Sequence, residues 1–415
     1  MKKLLPMVFL LLLSSCSGLL QEPIVDDDNS PKDAISEYEV SIEDAIKIAE
    51  KYRQELSSGA GTTRSCSPIK SIETIKNHKT RSEGESAIEN YFYLINYSGD
   101  GGFALLGADK RMAPLYAVSD DGQLSMQDTL WNPGLSSMIN SYINQANETI
   151  DDPYQPVDSL ITGLTPPYAN IIIHEEQYKV CSPVLTPYVR QWHQEAPYNN
   201  CTLELYNQNT QQKEHALVGC LPLSLGMIMS YYEYPESYVG YAYDWPAMKT
   251  GKGDWKVAHL VACLGHKDNL QATYGFKGTS ASVRNIPRAL GNFGYHSPKG
   301  QQSYSSVMTP TIIEIKNPML VVGNSNDGGG CHAWVIDGSI WHHIPAEISS
   351  DYRHHDYHYI HCVWGWGGSG NGYYLAEAST LGGTCYKPDA DDLYTYGIDF
   401  KYHVDDIWTD IKPLK

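Results

Sequence analysis

Cys220 and His332 are the residues whose types and settings point to chemistry. Cys220 stands in Val218-Gly219-Cys220-Leu221-Pro222-Leu223-Ser224-Leu225-Gly226-Met227-Ile228-Met229-Ser230-Tyr231-Tyr232. The apolar spacing predicts a helix that Pro235 ends, and Pro222 is tolerated only in a first helical turn. That constraint puts Cys220 at the helix start, where the partial positive charge favours thiolate over thiol. His332 follows a glycine-rich loop, Asn324-Ser325-Asn326-Asp327-Gly328-Gly329-Gly330-Cys331, and precedes an expected strand, Ala333 to Gly338. An imidazole held there could take the thiol proton and later deliver it to a leaving amine, the chemistry of a cysteine peptidase. Taken singly, each residue has a plainer reading: a buried cysteine packing a core helix, and a surface-loop histidine.

A third segment is Trp364-Gly365-Trp366-Gly367-Gly368, leading to Asn371-Gly372-Tyr373-Tyr374-Leu375. Tryptophans among glycines allow an aromatic wall with close backbone packing, which could shield an ion pair from water. A packed aromatic corner is the alternative. In order and spacing, Gly219-Cys220 with its helix, Gly330 to Gly338, and Trp364 to Tyr374 together resemble the streptopain family of papain-like cysteine peptidases.

The resemblance implies a papain-like α+β catalytic domain in which Cys220 is the nucleophile and His332 its base. It implies that Gln194, in Trp192-His193-Gln194-Glu195, supplies an oxyanion-hole amide beside the Cys220 backbone N–H. Trp364 and Trp366 become the active-site wall. Two positions depart from the pattern. Val363 stands where the family has asparagine before the first tryptophan, and its side chain cannot accept a hydrogen bond from imidazole. Cys331 stands where the family tends to have glycine, and burial on the opposite strand face is expected for it.

The elements upstream form a separate α+β unit. Ser41 caps a helix with Glu43 and Asp44 in its first turn, and Ile42, Ala45, Ile46, Ala49, Tyr52 and Leu56 follow at helical spacing. Tyr91–Tyr97, Phe103–Gly107 and Pro114–Val118 read as strands, the first two joined by a glycine turn. The stretch from Tyr91 to Gly122, with Gly102-Phe103 and Ala108-Asp109-Lys110-Arg111, is similar to the family's propeptide. This implies a zymogen whose own prodomain is an intramolecular inhibitor, cleaved in the linker between about Ile150 and Cys181; a permanent accessory domain is the other reading. Pro153, Pro156, Pro166 and Pro167 mark that linker. The expected organisation is a signal peptide (1–15), a lipidated flexible tether (16–40), a propeptide-like domain (41–170) and the peptidase domain (171–415).

The chain opens Met1-Lys2-Lys3, and Leu4 to Leu13 is nearly all apolar, too short to span a bilayer. Leu13-Ser14-Ser15-Cys16 follows, which looks like a bacterial lipoprotein processing box with Cys16 acylated. A cell-envelope location is expected: outer membrane or cell surface, with membrane contact through the lipid. Plain secretion is the alternative. The net charge of −18 over 415 residues argues against a nucleic-acid partner. The nine cysteines leave an odd set once Cys16 and Cys220 are set aside, so most are expected as buried small hydrophobes.

His342, His343, His354, His355, His358 and His361 cluster beside Cys362, without zinc-type spacing. A polar loop leading to Trp364 is the expectation, with no metal and no cofactor. The function these readings imply is a lipid-anchored cysteine endopeptidase made as a zymogen and acting on protein or peptide substrates. The alternatives are a catalytically weak or inactive papain-like surface binding or inhibitor module, or a cell-wall amidase using the same residue pair.

Overall fold

The computed structural model describes residues 38–59, 67–76, 90–130, 132–151, 175–296, 301–302, 316–325, 331–345, 355–376, 402–408 and 411–414. The expected signal peptide, Cys16, most of the tether and residues 152–174 of the linker lie outside them, as does the side chain of Cys331. Tyr38–Lys415 is one compact unit.

Helix α1 (Ile42–Gly59) begins as its sequence predicts, with the Asp44 amide donating to Ser41 Oγ at 3.1 Å. Its apolar stripe buries Ala45, Ala49, Tyr52 and Leu56. Strands β1 (Ile69–Lys76), β2 (Asn90–Tyr97), β3 (Phe103–Gly107) and β4 (Leu115–Ser119) form an antiparallel meander under it. Helix α2 (Pro133–Asp151) and strand β5 (Gln177–Cys181) complete the N-terminal half. Two hairpins flank the cysteine helix: β6 (Glu204–Asn207) with β7 (Gln212–His215), and β8 (Ser237–Tyr238) with β9 (Tyr241–Ala242). The cysteine helix itself, α3, spans Cys220–Tyr232.

The C-terminal half supplies β10 (Tyr295–His296), β11 (Gln301–Gln302), β12 (Met319–Ser325), β13 (Cys331–Ile344), β14 (His355–Val363), β15 (Gly372–Leu375), β16 (Tyr402–Trp408) and β17 (Lys412–Pro413). Among the described residues one sheet runs in the order β1-β2-β3-β4-β15-β14-β13-β12-β16-β11, with β5 also paired to β13. The two predicted domains share this sheet. They join where β15 pairs with β4, Tyr373 opposite Val118 and Tyr374 opposite Ala117.

Strand alternation sorts the core into two layers. Trp334 and Ile336 of β13 pack with α1, α2 and the meander, whereas Ala333 and Val335 pack with α3. A strand buried on both faces needs an apolar residue at nearly every position, which Ala333-Trp334-Val335-Ile336 supplies. The strand starts at Cys331, so His332 lies inside β13 rather than in the loop before it. Of the histidine-rich stretch, His342 and His343 lie at the end of β13, and His355, His358 and His361 lie in β14 paired along it, not in the polar loop expected from their composition; His354 lies outside the described residues. Tyrosines and acids supply the partners there: His342 Nε2 lies 2.7 Å from Glu176, His343 Nδ1 is 2.9 Å from Asp356, and His361 Nδ1 is 2.6 Å from Asp337.

Candidate active site

Cys220 is the first residue of α3, and Gly219 before it holds φ 93°. Only glycine takes that conformation without strain. A side chain at Gly219 would also meet Thr279 at 3.0 Å. The turn delivers the sulfur to the helix start. Burial pushes the thiol up from its ordinary value, while the backbone amides of Ala333, Leu221 and Cys220 itself pull it down. The Ala333 amide is the informative one, because it belongs to the residue after His332. Ser224 Oγ, one turn along α3, donates to the Ala333 carbonyl at 3.2 Å and fastens helix to strand. The two predicted reacting residues, 112 positions apart in the chain (332 − 220), therefore sit on elements in direct contact.

His332 is 2% exposed. Its ring lies nearly parallel to those of Trp334 (centroids 6.2 Å apart) and Trp366 (6.5 Å). Its Nε2 lies 3.1 Å from the carbonyl oxygen of Trp364. A carbonyl only accepts, so Nε2 carries the hydrogen and Nδ1 is left as the basic nitrogen. Burial holds the imidazole down at about 4, partly offset by that hydrogen bond. Among the described residues no hydrogen bond joins it to the Cys220 thiol. With the thiol raised and the imidazole lowered, the resting pair is uncharged.

The N-terminal half reaches this site. Gly134, in the first turn of α2, lies against the imidazole and the Trp364 ring: a methyl group there would come within 2.9 Å of His332 Cδ2 and 2.7 Å of Trp364 Cζ3. Trp364 is 1% exposed and Trp366 half-buried, so the two predicted wall residues do stand beside His332, joined by Trp334. Gln194 is 4% exposed, and its side-chain amide makes no hydrogen bond to the described residues. Its carbonyl accepts from Val218 N at 3.0 Å, two residues before Cys220. A bridge between His193 and Trp366 joins the Gln194 segment to the tryptophan loop. An amide withdrawn from bulk water yet left without a protein partner is available to a ligand oxygen.

Val363 takes no part. It is fully buried in the layer around α3, opposite Val335. Sequence reasoning missed Trp334, Gly134 and Asn371. Trp334 is two residues from His332 in a strand and so shares its face, a signal that reading His332 as a loop residue hid. For Gly134 and Asn371 the sequence carried no signal. Among the described residues no group of three or more His, Cys, Asp or Glu could hold a metal ion.

Residues 192–374 match the Peptidase C10 family, and residues 37–146 match the Spi protease inhibitor family. Streptopain of Streptococcus pyogenes is 25% identical over 354 residues, covering 74% of this chain and 79% of that protein. Among solved structures, a prointerpain A fragment from Prevotella intermedia aligns over 81% of this chain and 97% of its own, at 17% identity and TM-score 0.48. The active wild-type interpain A cysteine protease aligns over 48% and 87%, at 20% identity and TM-score 0.34.

Proposed function

Because this chain belongs to the streptopain-like group of papain-like cysteine peptidases and carries a prodomain, we propose that it is a cysteine endopeptidase made as a latent zymogen and held at the bacterial cell envelope by a lipid on Cys16. The observation that carries the catalytic reading is the contact of the α3 N-terminus with Ala333, which brings the Cys220 sulfur beside the residue that follows His332.

In the reaction, Nδ1 of His332 takes the Cys220 proton and the thiolate attacks the scissile carbonyl carbon. The oxyanion that forms accepts from the Gln194 amide and the Cys220 N–H. Collapse expels the amine, which leaves with the proton from the imidazolium, and an acyl-enzyme remains. Water then gives its proton to Nδ1, attacks the thioester, and releases the acid and the thiol. Trp334, Trp364 and Trp366 keep bulk water from the charged pair.

Latency follows from the pro-segment. Gly134 presses on His332, and dehydration keeps the pair uncharged. Cleavage between about Ile150 and Cys181 would free α2 to leave. The apolar run after Met1-Lys2-Lys3 and the Leu13-Ser14-Ser15-Cys16 box support export and acylation.

The test is expression of the full chain beside Cys220→Ala. Stoichiometric labelling of Cys220 by a thiol-directed epoxide and cleavage of casein, both lost in Cys220→Ala, are the expected results. Mass spectrometry of the membrane fraction is expected to find acyl-Cys16 and a new N-terminus between about Ile150 and Cys181. Processed protein that takes no label and cuts nothing would leave a binding or inhibitor module. Release of peptide from murein without protein cleavage would point to an amidase.

A further inference from the structure

The Val363 side chain points into the apolar layer around α3, so it cannot orient the imidazole, and neither could a polar side chain placed the same way. The group on His332 Nε2 is instead the main-chain carbonyl of Trp364. A carbonyl can set a tautomer only if the residue that carries it is fixed. The loop that follows does not fix itself: Gly365, Gly367, Gly368 and Gly370 all hold positive φ, between 66° and 87°. Such backbone is intrinsically loose.

Asn371 closes that loop. Its Oδ1 accepts from the Trp364 amide at 3.0 Å, and its Nδ2 donates to the Arg190 carbonyl at 2.8 Å. Its own amide donates to the Gly368 carbonyl at 3.1 Å. The Trp364 indole N–H donates to the Gly370 carbonyl at 3.0 Å, which pins the other side of the same residue. Asn371 is 4% exposed, so these bonds form away from competing water. Arg190 lies in the short turn Val189–Gln191 that leads to Trp192 and Gln194. One amide side chain therefore joins the residue that faces the base to the segment that carries the oxyanion donor.

We propose that Asn371 is the positioning residue of this site. Through the Trp364 main chain it holds the acceptor that fixes the Nε2–H tautomer of His332 and steadies the imidazolium, the task the family gives to an asparagine at the position of Val363. This rests on reading Cys220 and His332 as the reacting pair. The groups facing His332 are the Trp334 and Trp366 rings, the Trp364 ring and carbonyl, and Gly134, with Cys220 against the adjacent Ala333. Of these, Cys220 alone titrates.

The experiment compares wild type, Asn371→Ala and Asn371→Asp, each made as the full chain and allowed to process under reducing conditions. Two profiles are measured: alkylation of Cys220 by iodoacetamide against pH, mapped by mass spectrometry, and kcat and KM for a peptide substrate against pH. Asn371→Ala frees the amide of Trp364, and with it the residue whose carbonyl meets His332. Its kcat is expected to fall roughly 10- to 100-fold with KM within about twofold. Its bell is expected to narrow from both sides, as thiolate forms at higher pH and imidazolium is lost at lower pH. Asn371→Asp keeps the acceptor for the Trp364 amide, loses the donor to the Arg190 carbonyl as Asn371→Ala does, and adds negative charge, so its alkaline limb is expected at or above the wild-type position. Loss of packing alone would not sort the two variants by direction.

Unchanged limits in Asn371→Ala, or an alkaline limb below wild type in Asn371→Asp, overturn the proposal while the peptidase reading stands. Should Asn371→Ala fail to fold, the direction of the limb in Asn371→Asp decides alone. A wild-type Cys220 that alkylates with the pH dependence of an ordinary thiol, with no peptide cleaved, overturns both.

Discussion

Gly134 Cα sits so close to His332 that one added methyl group would lie 2.9 Å from Cδ2 of the imidazole. The pro-segment meets the catalytic half through a backbone with no side chain to spare. Ala is the better helix former by about 1 kcal/mol, so propensity alone would make Gly134→Ala stabilising. The contact at 2.7 Å with the Trp364 ring decides otherwise, because both rings are buried and cannot swing away. Overpacking of this kind costs about 1–3 kcal/mol. Gly134→Ala is expected to loosen the pro-segment and raise the rate of Cys220 labelling in unprocessed chain. Labelling slower than wild type would show that propensity outweighs the clash.

The same burial gives the proposed latency a pH dependence. Burial holds His332 at about 4 against an ordinary 6.5, partly offset by the Trp364 carbonyl. His342, between the two halves, is also held at about 4. It faces Lys51 and Tyr52 from α1, Tyr178 from β5 and Glu176 just before that strand, Tyr357 from β14, and His343 on its own strand. With α1 and α2 lifted away, water returns to both rings. The closed form then binds fewer protons than the open form between pH about 6.5 and 4, so closure weakens as pH falls through that window. The ceiling from His332 is about 3 kcal/mol. Limited proteolysis of full-length Cys220→Ala is expected to expose the pro-segment progressively below pH 6.5. Protection that holds flat from pH 7 to 4.5 would contradict this.

What the sequence disclosed was local. Apolar spacing and Pro222 placed Cys220 at its helix start, and Ser41 marked the start of α1, because capping and periodicity act within a few residues. His332 was found as a residue but misread as loop, since Gly328-Gly329-Gly330 suggested that the irregular stretch continues through it. The sheet that crosses from β4 to β15 had no local signature; its strands are more than 250 residues apart in the chain (372 − 119). Asn371 was invisible for the same reason. Its partner Arg190 is 181 positions away, and nothing in an asparagine among glycines says which carbonyl it will meet.

Tyr52 tests the outer lock between the halves. Its hydroxyl lies 2.5 Å from His342 Nδ1 and 3.1 Å from the Tyr359 hydroxyl, all three residues buried. Glu176 accepts from His342 Nε2–H, so Nδ1 is the acceptor and Tyr52 the donor. Tyr52→Phe keeps the packing and leaves Nδ1 without its donor, at a cost of about 1–3 kcal/mol. On the proposed cleavage α1 leaves with the pro-segment, so this destabilises only the closed form. Processing is expected to accelerate, with kcat and KM of the processed enzyme unchanged. A slower or unaltered processing rate would mean that the pair does not bear on closure.

Val363 offers the last test. If the family's asparagine were simply missing, Val363→Asn should raise activity. The surroundings argue against that, since Val363 is fully buried among Val335, Leu223 and neighbouring apolar side chains. An amide there gains no imidazole, because His332 Nε2 is already satisfied by the Trp364 carbonyl. Burying it without partners costs about 1–3 kcal/mol. Val363→Asn is expected to lower the thermal midpoint and to leave kcat at or below wild type. A rise in kcat of tenfold or more would mean that the strand end rearranges to present the amide to His332, and that the Trp364 carbonyl is not the acceptor used in turnover.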